Sequence, residues 1–282
     1  MFHGLSAFPL TPLKEGKIDE QAFTTLLRPL VDAGVDSLGI LGSTGSYAYL
    51  TVAERAQVTR CAVEHAGGIP VMVSIGALRL DDILRLADDA QAAGAAGVLM
   101  APVSYQRLTA EEVYSLYERV TRQLSVPLCV YDNPATTGFT FSDELMFAVA
   151  ALPNIGSVKF GRVPEDIAQV RSRLPDNVTM GISGDWQAAP ALQAGFDVWY
   201  SVIAGVFPQT ALAIARSKET AQSERLEPLW ALFRRYGSLR VMAAAAEMMG
   251  KVTVPALPFP LQAIQGEPRE ALARLIISLE LA

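Results

Sequence analysis

Short runs of Val, Ile and Leu alternate along the chain with longer stretches whose apolar positions recur every three or four residues. Eight of the runs lack polar alternation: Leu5–Leu10, Ser37–Leu41, Val71–Ile75, Val98–Ala101, Leu128–Tyr131, Gly156–Phe160, Val178–Ile182 and Val198–Val202. That is the pattern of parallel strands covered on both faces. The stretches between them carry helix punctuation. Thr51 stands ahead of Glu54 before Arg55–Ala66, and Thr109 ahead of Glu112, each in a capping-box arrangement. Ser142 precedes Asp143 and Glu144 at the head of Leu145–Ala151, and Gly34, Gly67, Gly94 and Gly195 stand where helices should end. The unit recurs roughly every 20 to 35 residues, the length of one strand-plus-helix step. Eight such steps predict an α/β fold, a (β/α)8 TIM barrel, which takes about 250 residues. An open doubly wound sheet is the alternative. The eighth helix is expected at Gln209–Arg216, placing the barrel at 1–218 and a small C-terminal helical extension at 219–282. Within that extension Ser223–Met249 and Glu267–Leu281 read as two helices, separated by the Pro-rich stretch Val254–Pro260.

Composition narrows the class. Hydrophobic residues make up 51% and charged residues 18% of the 282, enough to bury a large core. A mean hydropathy of +0.27 raises the question of a membrane span. Yet no stretch reaches about 18 consecutive apolar residues. Met1-Phe2-His3-Gly4 has no basic segment leading into an apolar one, so no secretory signal is expected. The net charge of −6 argues against a nucleic-acid partner. Two cysteines, Cys61 and Cys129, make no disulfide framework, and His3 and His65 are too far apart in sequence for a Cys/His metal site. A soluble cytoplasmic enzyme-sized protein without metal is expected.

Candidate chemistry belongs at the C-terminal ends of the strands. The chain has five lysines, Lys14, Lys17, Lys159, Lys218 and Lys251, and Lys159 alone ends an apolar strand. No acidic residue lies near it between Leu145 and Pro164. A desolvated lysine loses pKa and becomes a nucleophilic amine, as Schiff-base chemistry requires. Pairing with a distant carboxylate, or reaching out to the rim, is the plainer reading. The loop Gly42-Ser43-Thr44-Gly45-Ser46 offers hydroxyls and free backbone N–H groups to an anion, or is an ordinary turn. Tyr131, ending strand five, is placed to relay protons beside Lys159, or merely packs. Tyr105 lies in the loop after strand four, where a surface role is the simpler reading.

In this order the pieces resemble the dihydrodipicolinate synthase/N-acetylneuraminate lyase family of pyruvate-type class I aldolases and lyases. The resemblance rests on Ala7-Phe8-Pro9-Leu10-Thr11-Pro12, on Gly42-Ser43-Thr44-Gly45, on Tyr131 and Pro134 with Thr137-Gly138, on Lys159, and on Ser183-Gly184-Asp185. It implies that a keto acid condenses with Lys159 and that Tyr131 shuttles protons. Ser43 and Thr44 would hold the carboxylate, with Thr44 also in the relay. Tyr105 is similar to a tyrosine lent by a neighbouring subunit, implying a tight dimer within a homotetramer. Thr136, Gly184 and Tyr200 are carried over as substrate contacts. No organic cofactor is implied, because the iminium itself is the electron sink.

The departures bear on the substrate. Thr136 stands where dihydrodipicolinate synthases place an arginine for the carboxylate of aspartate semialdehyde, and a hydroxyl cannot replace a bidentate guanidinium. Ser46 and Phe160 stand where glutamates are common, and Asp132 replaces an asparagine. The pocket is therefore expected to be less cationic and less acidic. The leading expectation is a Schiff-base lyase or aldolase acting on pyruvate or a sugar-derived 2-keto acid, with an aldehyde as a second partner. One alternative is 4-hydroxy-tetrahydrodipicolinate synthase proper, with Arg162 supplying the missing cation. Another is a non-catalytic keto-acid-binding protein on the same fold.

Overall fold

The computed structural model describes residues 1–217 and 219–282. Lys218, which closes the expected barrel, lies outside the described residues. Eight parallel strands form a closed barrel: β1 (Gly4–Ala7), β2 (Ser37–Ile40), β3 (Val71–Ser74), β4 (Gly97–Met100), β5 (Leu128–Asp132), β6 (Ile155–Phe160), β7 (Thr179–Ile182) and β8 (Val198–Ser201). β8 pairs with β1 through Ser6 and Tyr200, and β1 with β2 through Ser6 and Ser37, which closes the cylinder. The eight helices that alternate with the strands are α1 (Glu20–Ala33), α2 (Val52–His65), α3 (Leu80–Ala92), α4 (Ala110–Thr121), α5 (Asp143–Ala150), α6 (Ile167–Arg173), α7 (Ala188–Gln193) and α8 (Pro208–Ser217). The fold is a (β/α)8 TIM barrel. Among the described residues, no helix is long and apolar enough to cross a membrane.

Helix ends form where the local hydrogen bonding dictates. Thr51 and Thr109 each make the complete capping box with Glu54 and Glu112. Ser142 Oγ accepts from Leu145 N at 3.2 Å. Gly34, just past α1, takes φ 71°, a left-handed value that costs a side-chain residue energy and glycine little.

Strand alternation builds two separate apolar layers. Leu5, Leu38, Ile40, Val71, Val98, Val130 and Val158 point out and pack beneath the helices. Phe8, Met72, Leu99, Cys129, Tyr131, Val198 and Tyr200 point in and form a second cluster with Phe2. Phe2 plugs the bottom of the barrel: a Cβ on Gly156 would sit 2.7 Å from its ring. Higher up, a Cβ on Gly39 would sit 2.2 Å from Phe8 Cζ, and one on Gly181 2.2 Å from Tyr200 Cε2. Bare backbone at those two inward positions makes room for the two rings that wall the upper interior.

Some elements differ from the sequence expectation. Strand one leaves the ladder after Ala7, ahead of Pro9, rather than running to Leu10. Leu13–Lys14 and Lys17–Ile18 form a small antiparallel hairpin, turned at Glu15 and Gly16 with φ 52° and 75°. The single helix expected over Ser223–Met249 is three: α9 (Thr220–Glu224), α10 (Glu227–Tyr236) and α11 (Ser238–Met248). Pro228 enforces a fresh start near the head of α10, and Gly237, at φ 84° and ψ 131°, breaks the chain again. α12 spans Glu267–Ser278. Trp230, Phe233 and Leu272 from this region join the same apolar cluster as the barrel's outer face.

Candidate active site

Lys159 lies on β6 in register with Tyr131 on β5 and Gly181 on β7. Its side chain points inward because Val158 and Phe160 face out. The amine sits 3.9 Å from the centroid of the Phe8 ring, 4.2 Å from that of Tyr131 and 5.5 Å from that of Tyr200. Among the described residues, no carboxylate lies within ion-pair distance of it. Burial drives its pKa from the ordinary lysine value down to about 7, with Cys129 and Asp185 pulling back upward. Asp185 is held off the amine by its own donors: Trp199 Nε1 at 2.8 Å, Val202 N at 3.1 Å and Ile203 N at 3.0 Å. Burial lifts its carboxyl to about 6 against these bonds.

Of the two tyrosine rings that face the amine, that of Tyr131 is the nearer. Asn133 Nδ2 donates to its oxygen at 2.8 Å. Burial raises its pKa to about 12, while hydrogen bonding to Ser43, Ser183 and Asn133 favours the phenolate and offsets part of the rise. Among the serines and threonines of the second loop, it is therefore Ser43 that meets the phenol. Thr44, expected in the relay, is buried beside it and makes no hydrogen bond to Tyr131. The loop is tightly built. A Cβ on Gly42 would sit 2.7 Å from Phe8 Cδ1, and one on Gly45 2.9 Å from Leu41 Cα. Leu41 and Ser46 bracket it with left-handed φ values of 58° and 53°, a strain that a side-chain residue holds only when its surroundings enforce it.

The remaining sequence candidates fall in several places. Gly184 is buried at the entrance to a short turn over Asp185–Gln187. Tyr200 lies lower than expected of a substrate contact: its hydroxyl bonds Ser157 Oγ at 2.7 Å and accepts from Cys129 Sγ at 3.4 Å, so its ring, not its hydroxyl, faces the amine. Thr136 is exposed in a one-turn helix, Pro134–Thr137, with its hydroxyl donating to Asn133 O at 3.3 Å. Tyr105 is 91% exposed on the single chain. Two of the departures prove to lie outside the pocket. Asp132 and Phe160 each follow an inward residue and so point outward by the two-residue period. Phe160 stacks edge-on with Phe196 at 5.9 Å, and Asp132 faces Phe141 and Tyr117 behind the sheet. Neither changes the charge of the mouth. Arg162 is exposed, and its field acts on Asp132.

Sequence reading missed Tyr47 and Arg55. Arg55 is 4% exposed on α2 and donates to Gly76 O at 2.9 Å and Ser74 O at 2.8 Å, at the mouth end of β3. Its guanidinium carbon lies 5.0 Å from the centroid of the Tyr47 ring. The available signal was an arginine on the apolar side of a helix directly after a loop already singled out. Among the described residues, no cluster of three His, Cys, Asp or Glu side chains is placed to hold a metal ion.

Known proteins share this fold over the whole chain. The model of the dihydrodipicolinate synthetase family matches residues 1–279. A crystal structure of dihydrodipicolinate synthase from Agrobacterium tumefaciens is 42% identical, covers 99% of this chain and 98% of its own, and superposes with a TM-score of 0.93. The dihydrodipicolinate synthase structure from Thermotoga maritima is 25% identical, with full coverage of both chains (100% each) and a TM-score of 0.91. A relative from Syntrophus aciditrophicus named 4-hydroxy-tetrahydrodipicolinate synthase is 29% identical over 98% of both chains.

Proposed function

The chain belongs to the dihydrodipicolinate synthetase family, a lyase family acting on pyruvate, and from that premise we propose that it forms its Schiff base through Lys159. The observation carrying this is a buried amine, walled by Phe8, Tyr131 and Tyr200, whose pKa burial lowers to about 7. At pH 7 an ordinary lysine is deprotonated in well under one molecule per thousand, whereas one titrating near neutrality is about half neutral. That gain of roughly three powers of ten in nucleophile is what imine formation needs.

The amine adds to C2 of the keto acid and its proton passes to the oxygen, giving a carbinolamine. Tyr131 donates its phenolic proton to the departing hydroxyl, water leaves, and the iminium remains. The phenolate so formed takes a proton from C3, giving a neutral enamine. The enamine carbon then bonds the carbonyl carbon of an aldehyde, whose oxygen takes the proton Tyr131 has just received; run backwards, the same bond breaks. Water adds to the product iminium and gives a proton to the Tyr131 phenolate; the carbinolamine hydroxyl then passes its proton to the nitrogen as the C–N bond breaks, which frees the lysine. Ser43 and Thr44, with the N–H groups of their loop, hold the keto acid's carboxylate, and Ser43 and Asn133 keep Tyr131 in place. Tyr105 acts from a neighbouring subunit in a dimer of dimers, a role its exposure on the single chain supports.

The second partner is an aldehyde without a carboxylate, or the net substrate is a sugar-derived keto acid. The support is Thr136, whose exposed hydroxyl offers no cation. An exposed neutral hydroxyl gives a second carboxylate no charge-assisted partner, and so none of the selection a bidentate guanidinium would supply. The names of the relatives favour a second reading, 4-hydroxy-tetrahydrodipicolinate synthase activity with Arg162 turned to the pocket.

Borohydride reduction in the presence of pyruvate should add one label, at Lys159, and none in Lys159→Ala. A label persisting unchanged in Lys159→Ala refutes the assignment. A wild type that prefers aspartate semialdehyde to neutral aldehydes, with the preference abolished in Arg162→Ala, establishes the second reading instead.

A further inference from the structure

Phe8 takes no part in the steps above, yet its ring lies closer to the amine than that of Tyr131 or Tyr200. Lys159 Nζ stands over the ring face, 3.9 Å from its centroid. The ring is boxed in. Gly39 and Gly42 bring bare backbone against it, since a Cβ on Gly39 would fall 2.2 Å from its Cζ and one on Gly42 2.7 Å from its Cδ1. The Tyr200 ring meets it edge-on, with centroids 6.0 Å apart and planes at 86°, and Tyr200 is itself fixed through its hydroxyl to Ser157 Oγ at 2.7 Å. The main chain is fixed too: Phe8 N donates to Ser201 O at 2.9 Å, and a Cβ on Gly205 would lie 2.4 Å from Phe8 O. A buried, immobile aromatic face is thus aimed at the one nitrogen on which Schiff-base chemistry places positive charge. The nearby carboxylate, Asp185, is committed to Trp199 and to the N–H groups of Val202 and Ile203. An aromatic face attracts a cation, and most strongly where water is excluded.

We propose that Phe8 is a catalytic group of this site, its ring face stabilising the positive charge of the iminium formed on Lys159. The assignment rests on the Schiff-base reading above. Its signature is a dependence on pH. Below the amine's pKa of about 7 the reactant is already a cation: ammonium plus keto acid gives iminium plus water, and the ring favours both sides alike. Above it the neutral amine and the keto acid take up one proton from solution to give the same iminium and water. Charge then appears over the ring only in the product, and the whole attraction counts. The titratable groups facing the amine are Cys129 at about 11 and Tyr131 at about 12 on β5, Asp185 at about 6 after β7, and Tyr200, raised by burial, on β8. None of these has its midpoint between pH 7 and 9, and Asp185 is common to any two proteins compared at one pH.

The test uses the intact protein with a trifluorinated phenylalanine at position 8, which keeps the ring's shape and cancels most of the charge distribution that attracts a cation. Pyruvate is titrated at pH 5.5 and at pH 9, and the adduct is counted by mass after a brief pulse of cyanoborohydride. At pH 9 the fluorinated protein should need about 5- to 30-fold more pyruvate than wild type for half-saturation, the worth of a desolvated cation–ring contact. At pH 5.5 the difference should be about twofold or less. Phe8→Leu, which removes the ring and keeps an apolar side chain, should show the same split. In both variants the pH at which the rate of adduct formation levels off should fall by about one unit, because the ammonium loses the same support. Equal losses at the two pH values, as packing alone would give, or no loss at pH 9 in the fluorinated protein, overturn the proposal while leaving the Schiff base intact. Absence of any adduct in wild type, or an adduct that persists in Lys159→Ala, sinks the Schiff-base reading, and this inference with it.

Discussion

Two cation–tyrosine pairs stand at the barrel mouth, Lys159 with Tyr131 at the ends of β5 and β6, and Arg55 with Tyr47 above β3. Both cations are 4% exposed, and burial lowers both, Lys159 to about 7 and Arg55 to about 10. The difference lies in acceptors and in chemistry. Arg55 gives two charge-assisted bonds to carbonyls, and Tyr47 and Asp82 support its charge. Lys159 meets ring faces and a carboxylate already committed to three other donors. A guanidinium starts from a higher pKa and spreads its charge, so it stays protonated; an ammonium in the same burial sheds its proton. Burial alone therefore does not make a nucleophile. Lys251 makes the same point from outside the barrel: half-buried, it donates to Val206 O at 3.0 Å and lines a 480 Å³ cavity between α1 and α8, away from the mouth.

The contrast is sharpest in the tyrosines. Tyr131→Phe should lower turnover by roughly 10²–10⁴-fold with little change in pyruvate affinity, the range for a positioned acid/base. A loss of tenfold or less, measured by steady-state kinetics, would put Tyr131 on the same footing as Tyr47 and dissolve the distinction.

Stability separates the cations by sign. The folded pKa of Lys159 lies below its unfolded value, so between about 7 and 10.5 only the unfolded chain binds the proton. The cost of burying it is therefore full below pH 7, where both states are protonated, and fades as pH rises towards 10.5. Lys159→Met should accordingly stabilise the protein by about 2–5 kcal/mol at pH 6, with the gain shrinking by pH 9.5. Arg55→Met should instead destabilise it by about 2–4 kcal/mol at both pH values, because two buried carbonyls lose their donors. Urea melts at the two pH values decide it, and equal signs would break the comparison.

The smallest effect tests the field at Lys159. Adduct formation with pyruvate should rise about tenfold per pH unit below neutrality and level off above the amine's pKa. Asp185→Asn removes a charge that raises that pKa, so the inflection should move to lower pH, by less than about one unit. An inflection that stays put, or moves up, shows that Asp185 serves only to hold Trp199 and the chain at Val202 and Ile203.

Much of this molecule is legible along the chain because its determinants are local. Capping at Thr51 and Thr109 is settled within three residues, and the strand–helix period follows from which side chains meet helices on the outside. Lys159 stood out for a similarly local reason, an amine at the end of an apolar strand with no acid nearby in sequence. The long helix expected over Ser223–Met249 failed on a local cue as well, since Pro228 and Gly237 break a pattern that its apolar spacing continues. What surrounds the amine was decided only in three dimensions. The rings of Phe8, Tyr131 and Tyr200 reach it from the end of β1, from β5 and from β8, the charge of Asp185 acts on it from the turn after β7, and its pKa is set by segments far apart in sequence. The same holds for Ser43 rather than Thr44 meeting Tyr131, and for Asp132 and Phe160 turning out behind the sheet. Desolvation and hydrogen-bond partnership depend on which faces close upon one another, and barrel closure sets those faces where no short window of sequence records them.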